Sequence, residues 1–327
     1  MEPSGEAEID WHTDGVLAIF PITRERCRVI ADVGPSETDK DRPEPTLKDI
    51  QTVLTKRGRG RMTASDRQWL GSFHINERQV ADYRAGRVFL AGDSAHVYSP
   101  AGGQGMNTGM QDAVNLAWKL ALVCRNLCAQ EPLLGSYSLE RSVVGEQVLK
   151  NTGRITSLAI LRGDVKQSIR NHIASMLFGF APICNAMVQT IAEISVGYPD
   201  SPLSEQGTRV HGGPVAGQRA PVRAGETPFG AGDTPRFALC ADATNETAKR
   251  AGGVMLGLYK HLLEPEFRMP FAKGGIWLVR PDGYIALATG LNGWDEVAAY
   301  IDGIVGRLST WRVEAVKENL AAQDTSK

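Results

Sequence analysis

The 327-residue sequence has no excess of either charge: 36 Lys and Arg against 37 Asp and Glu leave a formal net charge of −1. A nucleic-acid binder normally carries a basic footprint, and none is present globally. Cysteine is scarce, at 5 residues in an odd count. Scattered cysteines in a long chain argue against a disulfide framework and fit reduced thiols in a cytoplasmic protein. Met1 to Asp10 is acidic and polar, with neither a basic n-region nor an apolar h-region, so no signal peptide is expected. Long apolar runs are also few. Ile173 to Ala192 lacks charge and has bilayer length. Ser175, Asn185, Gln189 and Thr190 interrupt it, and Pro182 sits near its middle. It reads as a buried or interface helix pair, and no membrane partner is expected.

What remains is ordinary for a soluble globular chain, 42% hydrophobic and 22% charged. The length suggests two domains at about 150 residues each. Val16 to Phe20 and Arg28 to Val33 read as a hairpin around Pro21 to Glu25. Leu47 to Leu54 has helical spacing, and Arg57 to Arg61 reads as a solvated loop. Trp69 to Gln79 reads as extended, and Val88 to Ala91 as a short buried strand. Helices are expected from about Asn107 to Leu127 and from Ser136 to about Leu161. In the first, Asp112 precedes Lys119 and Arg125, the order that complements a helix dipole. Glycine and proline mark a boundary near residue 205. Beyond it, Arg236 to Cys240 and Ile276 to Val279 read as strands. Pro281-Asp282-Gly283 turns the chain into Tyr284 to Ala288, and Trp294 to Leu308 reads as an amphipathic helix.

The segment that carries chemistry begins Gly86-Arg87-Val88-Phe89-Leu90-Ala91-Gly92-Asp93-Ser94-Ala95-His96. It continues through Pro100, Gly102-Gly103-Gln104-Gly105-Met106-Asn107 and Asp112-Ala113-Val114-Asn115-Leu116-Ala117-Trp118-Lys119-Leu120. A carboxylate at a strand end can accept hydrogen bonds from a polyol. Glycines let backbone N–H groups approach a flat ligand closely. A helix N-terminus offers unpaired N–H groups to negative charge. A flavin needs all three. Other readings of single residues are bland. Asp93 alone suits a turn or an N-cap. His96 reads as structural, and Arg280 and Asp282 flank a turn. Gly103-x-Gly105-x-x-x-Gly109 has the wrong spacing for a dinucleotide fingerprint. Cys124 and Cys128 lack further ligands at metal spacing, so no metal site is expected.

The segment resembles the second FAD-binding motif of the FAD-dependent aromatic hydroxylases, the class A flavoprotein monooxygenases. Ser138-Leu139-Glu140-Arg141 is similar to the helix that follows it, and Arg28 to Val33 to the closing strand of the substrate-binding sheet. Tyr198 to Leu203 is similar to the family's Tyr-x-x-Ser-Pro-Leu link. Leu278 to Tyr284 is similar to the signature of a thioredoxin-like third domain, found in the phenol and polyketide hydroxylase branch. The resemblance implies an α/β chain. Residues 1–204 would be the C-terminal part of an FAD-binding and substrate-binding domain, with a remnant of the substrate-binding sheet. Residues 205–327 would be a thioredoxin-like α/β domain. Cys240 is the only cysteine of that second domain, so dithiol chemistry is not expected there.

The resemblance also implies roles. Asp93 would bind the ribityl hydroxyls. Met106 and Asn107 would offer N–H groups to the flavin pyrimidine edge. Pro100 would line the ring, and Gly103 and Gly105 would permit close approach. No residue is assigned a catalytic role. FAD is the implied cofactor, with NAD(P)H as co-substrate, O2 as oxidant and a small phenolic or polyketide-like aromatic as substrate. The reading leaves room for a homodimer. Members of the family begin with a βαβ unit carrying Gly-x-Gly-x-x-Gly, which holds the FAD pyrophosphate. The sequence holds no such motif, and the chain is expected to be N-terminally incomplete. The alternative is a non-catalytic fragment serving as a scaffold or dimerisation module.

Overall fold

The computed structural model describes residues 6–12, 14–34, 44–58, 62–99, 103–159, 195–208 and 210–306. The segment from Ile173 to Ala192 and the candidate Pro100 lie outside the described residues. Contacts group the chain into two units. One comprises Met1–Arg78, Tyr98–Gly103 and Val148–Val188; the other comprises Gln79–Val97, Gln104–Gln147 and Gln189–Lys327. The boundary expected near residue 205 falls inside the second unit, and that division is carried forward as a proposal.

The first unit holds an antiparallel sheet of β1 (Glu8–His12), β2 (Gly15–Pro21) and β3 (Cys27–Ala31), in that order. The hairpin of β2 and β3 follows the sequence pattern; β1 was not foreseen. Leu17 and Ile19 alternate inward and pack on Leu54 of α1 (Leu47–Arg57). Thr46 starts that helix with a reciprocal cap: its hydroxyl accepts from the Asp49 N–H, and the Asp49 carboxylate accepts from the Thr46 N–H. Arg57 is not a loop residue. It closes the helix and donates to the carbonyls of Asp14, Val16 and Asp32, which pins both ends of the hairpin.

In the second unit the motif region forms short ladders. β4 (Arg78–Gln79) pairs with β7 (His96–Val97), and β5 (Arg84–Ala85) pairs with β6 (Val88–Phe89). The expected strand Val88 to Ala91 is therefore only two residues long, and Val88 is 63% exposed. Among the described residues it pairs on one side alone, and Gly92 then turns the chain away. Likewise, only Arg78 and Gln79 of the expected extended segment join a ladder. Two long helices follow, α2 (Gly105–Cys124) and α3 (Gln130–Ala159), each beginning earlier than the sequence suggested; the residues of α3 from Val148 on are grouped with the first unit.

The larger sheet has the order β8-β11-β10-β9. Its strands are β8 (Glu205–Gln206), β9 (Ala238–Cys240), β10 (Gly275–Val279) and β11 (Ile285–Gly290). β8 runs parallel to β11, and the other pairs are antiparallel. Gly283 takes a left-handed φ of 82° in the expected turn, and its N–H donates to the Arg280 carbonyl at 2.9 Å. On one face, Leu278 and Leu287 pack with Met255 of α4 (Glu246–Leu258) and with Val297 and Ile301 of α5 (Trp294–Val305). Trp118 and Leu122 of α2 join the same cluster. On the other face, Trp277 and Val279 pack with Ala220 and Ala238. Each buried Leu, Ile, Val or Met among these contributes about 1.5–3 kcal/mol. The chain is thus α/β, as expected. Among the described residues no helix is long and apolar enough to cross a membrane.

Candidate functional site

The apolar run of β6 ends at Gly92, whose φ of 58° only glycine adopts without strain. The chain reverses there and leaves Asp93 exposed. The first α-helical bond of α2 runs from the Thr108 N–H to the Gln104 carbonyl at 2.9 Å. The N–H groups of Gly105, Met106 and Asn107 precede it and have no partner within the helix. They form its positive end, which suits an anionic ligand edge. Two glycines bring this helix start against the Gly-Asp turn: a methyl on Gly109 would stand 3.2 Å from Gly92 Cα.

Four of the six sequence-derived candidates, Asp93, Gly105, Met106 and Asn107, thus belong to two adjoining segments. Gly103 has a φ of 61° and open space where a side chain would begin. Pro100 is not described. Asn107 also lines a cleft of about 340 Å³, together with Met110, Gln111, Val114, Asn115, Tyr198, Arg219, Asp282 and Tyr284. Asp93 is not among the lining residues.

Behind the exposed groups lies a buried polar face of α2. Thr108, Asp112, Asn115 and Lys119 recur at helical spacing and are all buried. Asp112 and Lys119 were expected as charges complementing the dipole. They are instead solvent-free ion partners, because α3 and the turn after β10 bring matching groups to the same face. Asp112 Oδ2 accepts from the Gly92 N–H at 2.9 Å and from His96 Nε2 at 2.7 Å. Its Oδ1 accepts from Arg141 Nε at 2.6 Å. Arg141 also donates to the Thr108 carbonyl at 3.1 Å and to the Tyr198 hydroxyl at 2.9 Å. Burial pushes the Asp112 carboxyl up, but His96 and Arg141 outweigh it and hold it below its ordinary value.

Further along α2, Glu140 is the centre. It accepts from Lys119 at 2.8 Å, from Asn115 at 2.7 Å and from both terminal nitrogens of Arg280 at 2.6 and 2.9 Å. Asp282 accepts from Arg280 at 2.6 Å and from the Trp118 indole at 3.0 Å. Burial alone would raise the Glu140 carboxyl; Arg280 and Lys119 reverse this and hold it well below the carboxylate range. Burial lowers Lys119 to about 8. Arg280 and Asp282 are thus held in one buried ion-pair network at their turn, and Asp282 also lines the cleft. His96 is buried as well: it is 2% exposed and bonded to Asp112.

The sequence reading missed Glu140, Arg141, Tyr198 and the cleft residues Gln111 and Arg219 as part of this region. The one available signal was the spacing of polar residues within the apolar α2. Cys124 is exposed and Cys128 buried, with burial pushing the Cys128 thiol up to about 12. Among the described residues no cluster of His, Cys, Asp and Glu is arranged to hold a metal.

Comparison with known proteins shows which family this chain resembles. A family model described as an FAD binding domain matches residues 4–152. The 6-methylpretetramide 4-monooxygenase of Streptomyces rimosus is 44% identical over 153 residues, which is 45% of this chain and 27% of the relative. The 12-dehydrotetracycline 5-monooxygenase/anhydrotetracycline 6-monooxygenase of Streptomyces rimosus subsp. rimosus is 33% identical over 281 residues, 83% of this chain and 52% of the relative. The structure of OxyS anhydrotetracycline hydroxylase from Streptomyces rimosus superposes with a TM-score of 0.66 at 26% identity, covering 94% of this chain and 62% of that one. The matches thus span about half or less of these curated relatives. With the Gly-Asp turn, the glycine-led helix start and the buried polar face of α2 all in place, this chain is similar, over the part of their length that it spans, to the FAD-dependent aromatic hydroxylases, the class A flavoprotein monooxygenases.

Proposed function

We propose that the Gly92-Asp93 turn and the first turn of α2 hold the flavin of an aromatic hydroxylase that uses NAD(P)H and O2. The observation that carries this is the approach of Gly92, next to the exposed Asp93, to Gly109 in the first turns of α2. The residues fit the group. Asp93 offers acceptors for ribityl hydroxyls. Met106 and Asn107 offer N–H donors for the pyrimidine edge, where a reduced flavin carries negative charge. Gly103 and Gly105 present no side chain, and family resemblance assigns Pro100 to the ring. When bound, FAD supplies hydride acceptance and oxygen activation. The chain's own task is to fix orientation and to keep water from the reacting edge.

The substrate class in this reading is a phenolic or polyketide-like aromatic. The names of the relatives support it. The four described cysteines are free thiols, which supports a cytoplasmic setting. The mixed sheet with α4 and α5 supports a thioredoxin-like module from about residue 205. Its buried Cys240, with burial pushing the thiol up to about 12, supports the absence of dithiol chemistry.

Fluorescence titration with FAD tests the site. Binding by this chain, weakened about tenfold or more in Asp93→Ala, is the expected result; tenfold corresponds to about 1.4 kcal/mol. Unchanged affinity in that variant sinks the assignment. Substrate-dependent NAD(P)H oxidation with a phenol then tests the reaction. No FAD binding by a folded chain favours the scaffold reading instead.

A further inference from the structure

We infer that Asp112 and Arg141 form a positioning clamp that fixes the Gly-Asp turn against the start of α2. This rests on the flavin reading above, and it concerns residues that do not touch the ligand. A ligand that contacts both segments needs them held at one separation. Two backbone groups set that separation. The Gly92 N–H, one residue before Asp93, donates to Asp112 at 2.9 Å. The Thr108 carbonyl, one residue after Asn107, accepts from Arg141 at 3.1 Å. The Asp112 carboxylate and the Arg141 guanidinium join these two ends at 2.6 Å. Asp112, Thr108 and Arg141 are each 0% exposed, so water does not compete for these bonds.

The carboxylate is also required by arithmetic. Three donors converge on it: the Gly92 N–H, His96 Nε2 and Arg141 Nε. An asparagine there has one acceptor oxygen and turns an NH2 toward at least one of these donors. The guanidinium is needed for a similar reason. Its Nε reaches Asp112, while its two terminal nitrogens reach Thr108 and Tyr198. A lysine has the charge but not the fork.

The test uses the whole chain, Asp112→Asn and Arg141→Lys, with Thr46→Ala as a variant that loses stability away from the clamp. Three readouts are taken below every variant's unfolding temperature: FAD affinity, visible circular dichroism of bound flavin, and hydrogen exchange at the Gly92 amide. The clamp predicts affinity weakened roughly tenfold or more in both clamp variants, the scale of loss when outer-shell groups that orient metal ligands are removed. It also predicts an altered flavin dichroism band and faster Gly92 exchange in Asp112→Asn. Thr46→Ala leaves all three unchanged. Wild-type affinity and dichroism in a folded Asp112→Asn overturn the inference. If Asp112→Asn does not fold, Arg141→Lys decides by the same affinity and dichroism criteria. If the parent chain does not bind FAD, the flavin reading fails separately, and Gly92 exchange still decides the clamp: unchanged exchange overturns it.

Discussion

Asp112 and Glu140 are both buried carboxylates, but their surroundings differ. Asp112 takes a backbone N–H, a histidine and one arginine, and its neighbour in space is a turn open to solvent. Glu140 takes two full cations and an asparagine, and it ties α2 and α3 to a turn 140 residues further along the chain. Burying a charge is costly unless it is paired and fully hydrogen-bonded, and both carboxylates meet that condition by different means. One face of α2 thus does two things. Near its start it holds the Gly92 turn through Asp112, and toward its end it fastens the larger sheet to the helix pair.

The largest expected effect comes from breaking the Glu140 cluster. Arg280→Met leaves Glu140 and Asp282 short of positive charge, at an expected cost of about 3–5 kcal/mol. Urea unfolding followed by circular dichroism checks it, and a loss below about 1 kcal/mol would show that the cluster does not fasten the sheet.

Dependence on pH separates the two clusters next. Lys119 is lowered from 10.5 to about 8 in the fold. Between those values the unfolded chain binds the proton more tightly, so this group adds stability as pH rises from about 8 to 10.5, on the order of 3 kcal/mol at most. Lys119→Met should flatten that rise in denaturation midpoints. On the acid side both carboxylates are lowered. Their stabilisation is present above the unfolded carboxylate value and is lost as pH falls through the folded one.

Smaller effects follow. Gly109→Ala places a methyl 3.2 Å from Gly92 Cα. The helix gains from alanine, while the crowding costs about 1–3 kcal/mol, leaving a net loss of roughly 1 kcal/mol and weaker FAD binding. A thermal melt beside an FAD titration would detect both. Thr46→Ala removes a cap outside both clusters and should cost about 1 kcal/mol with no change at the flavin site. An effect on FAD there would mean that stability, and not position, governs binding.

Local chemistry was legible in the sequence. Pro281-Asp282-Gly283 announced its turn, and the returning strand and α5 follow within a few residues. The Gly-Asp turn and the glycine-led helix start were readable through family resemblance. Other features had weak local signals. β1 is short and acidic, and α4 carries Gly252, Gly253 and Gly257, which weaken its helical signal. The charged residues of α2 misled, because Asp112 and Lys119 look like surface residues until Arg141, Glu140 and Arg280 are known to face them. Burial of a charge is decided by partners distant in sequence, and no local window contains them.

The separation between Glu140 and Arg280 has a consequence during synthesis. At about 5–20 residues per second, the 140 residues between them take roughly 7–28 s to emerge. Through that interval α2 and α3 can meet, and Glu140 has Lys119, Asn115 and, once it emerges, the Ser201 hydroxyl, but not yet Arg280. Until then Glu140 is balanced by Lys119 alone and still hydrated, and Arg280 arrives later together with Asp282. Final closure of the helix pair is a late event in folding, timed by translation of the larger sheet.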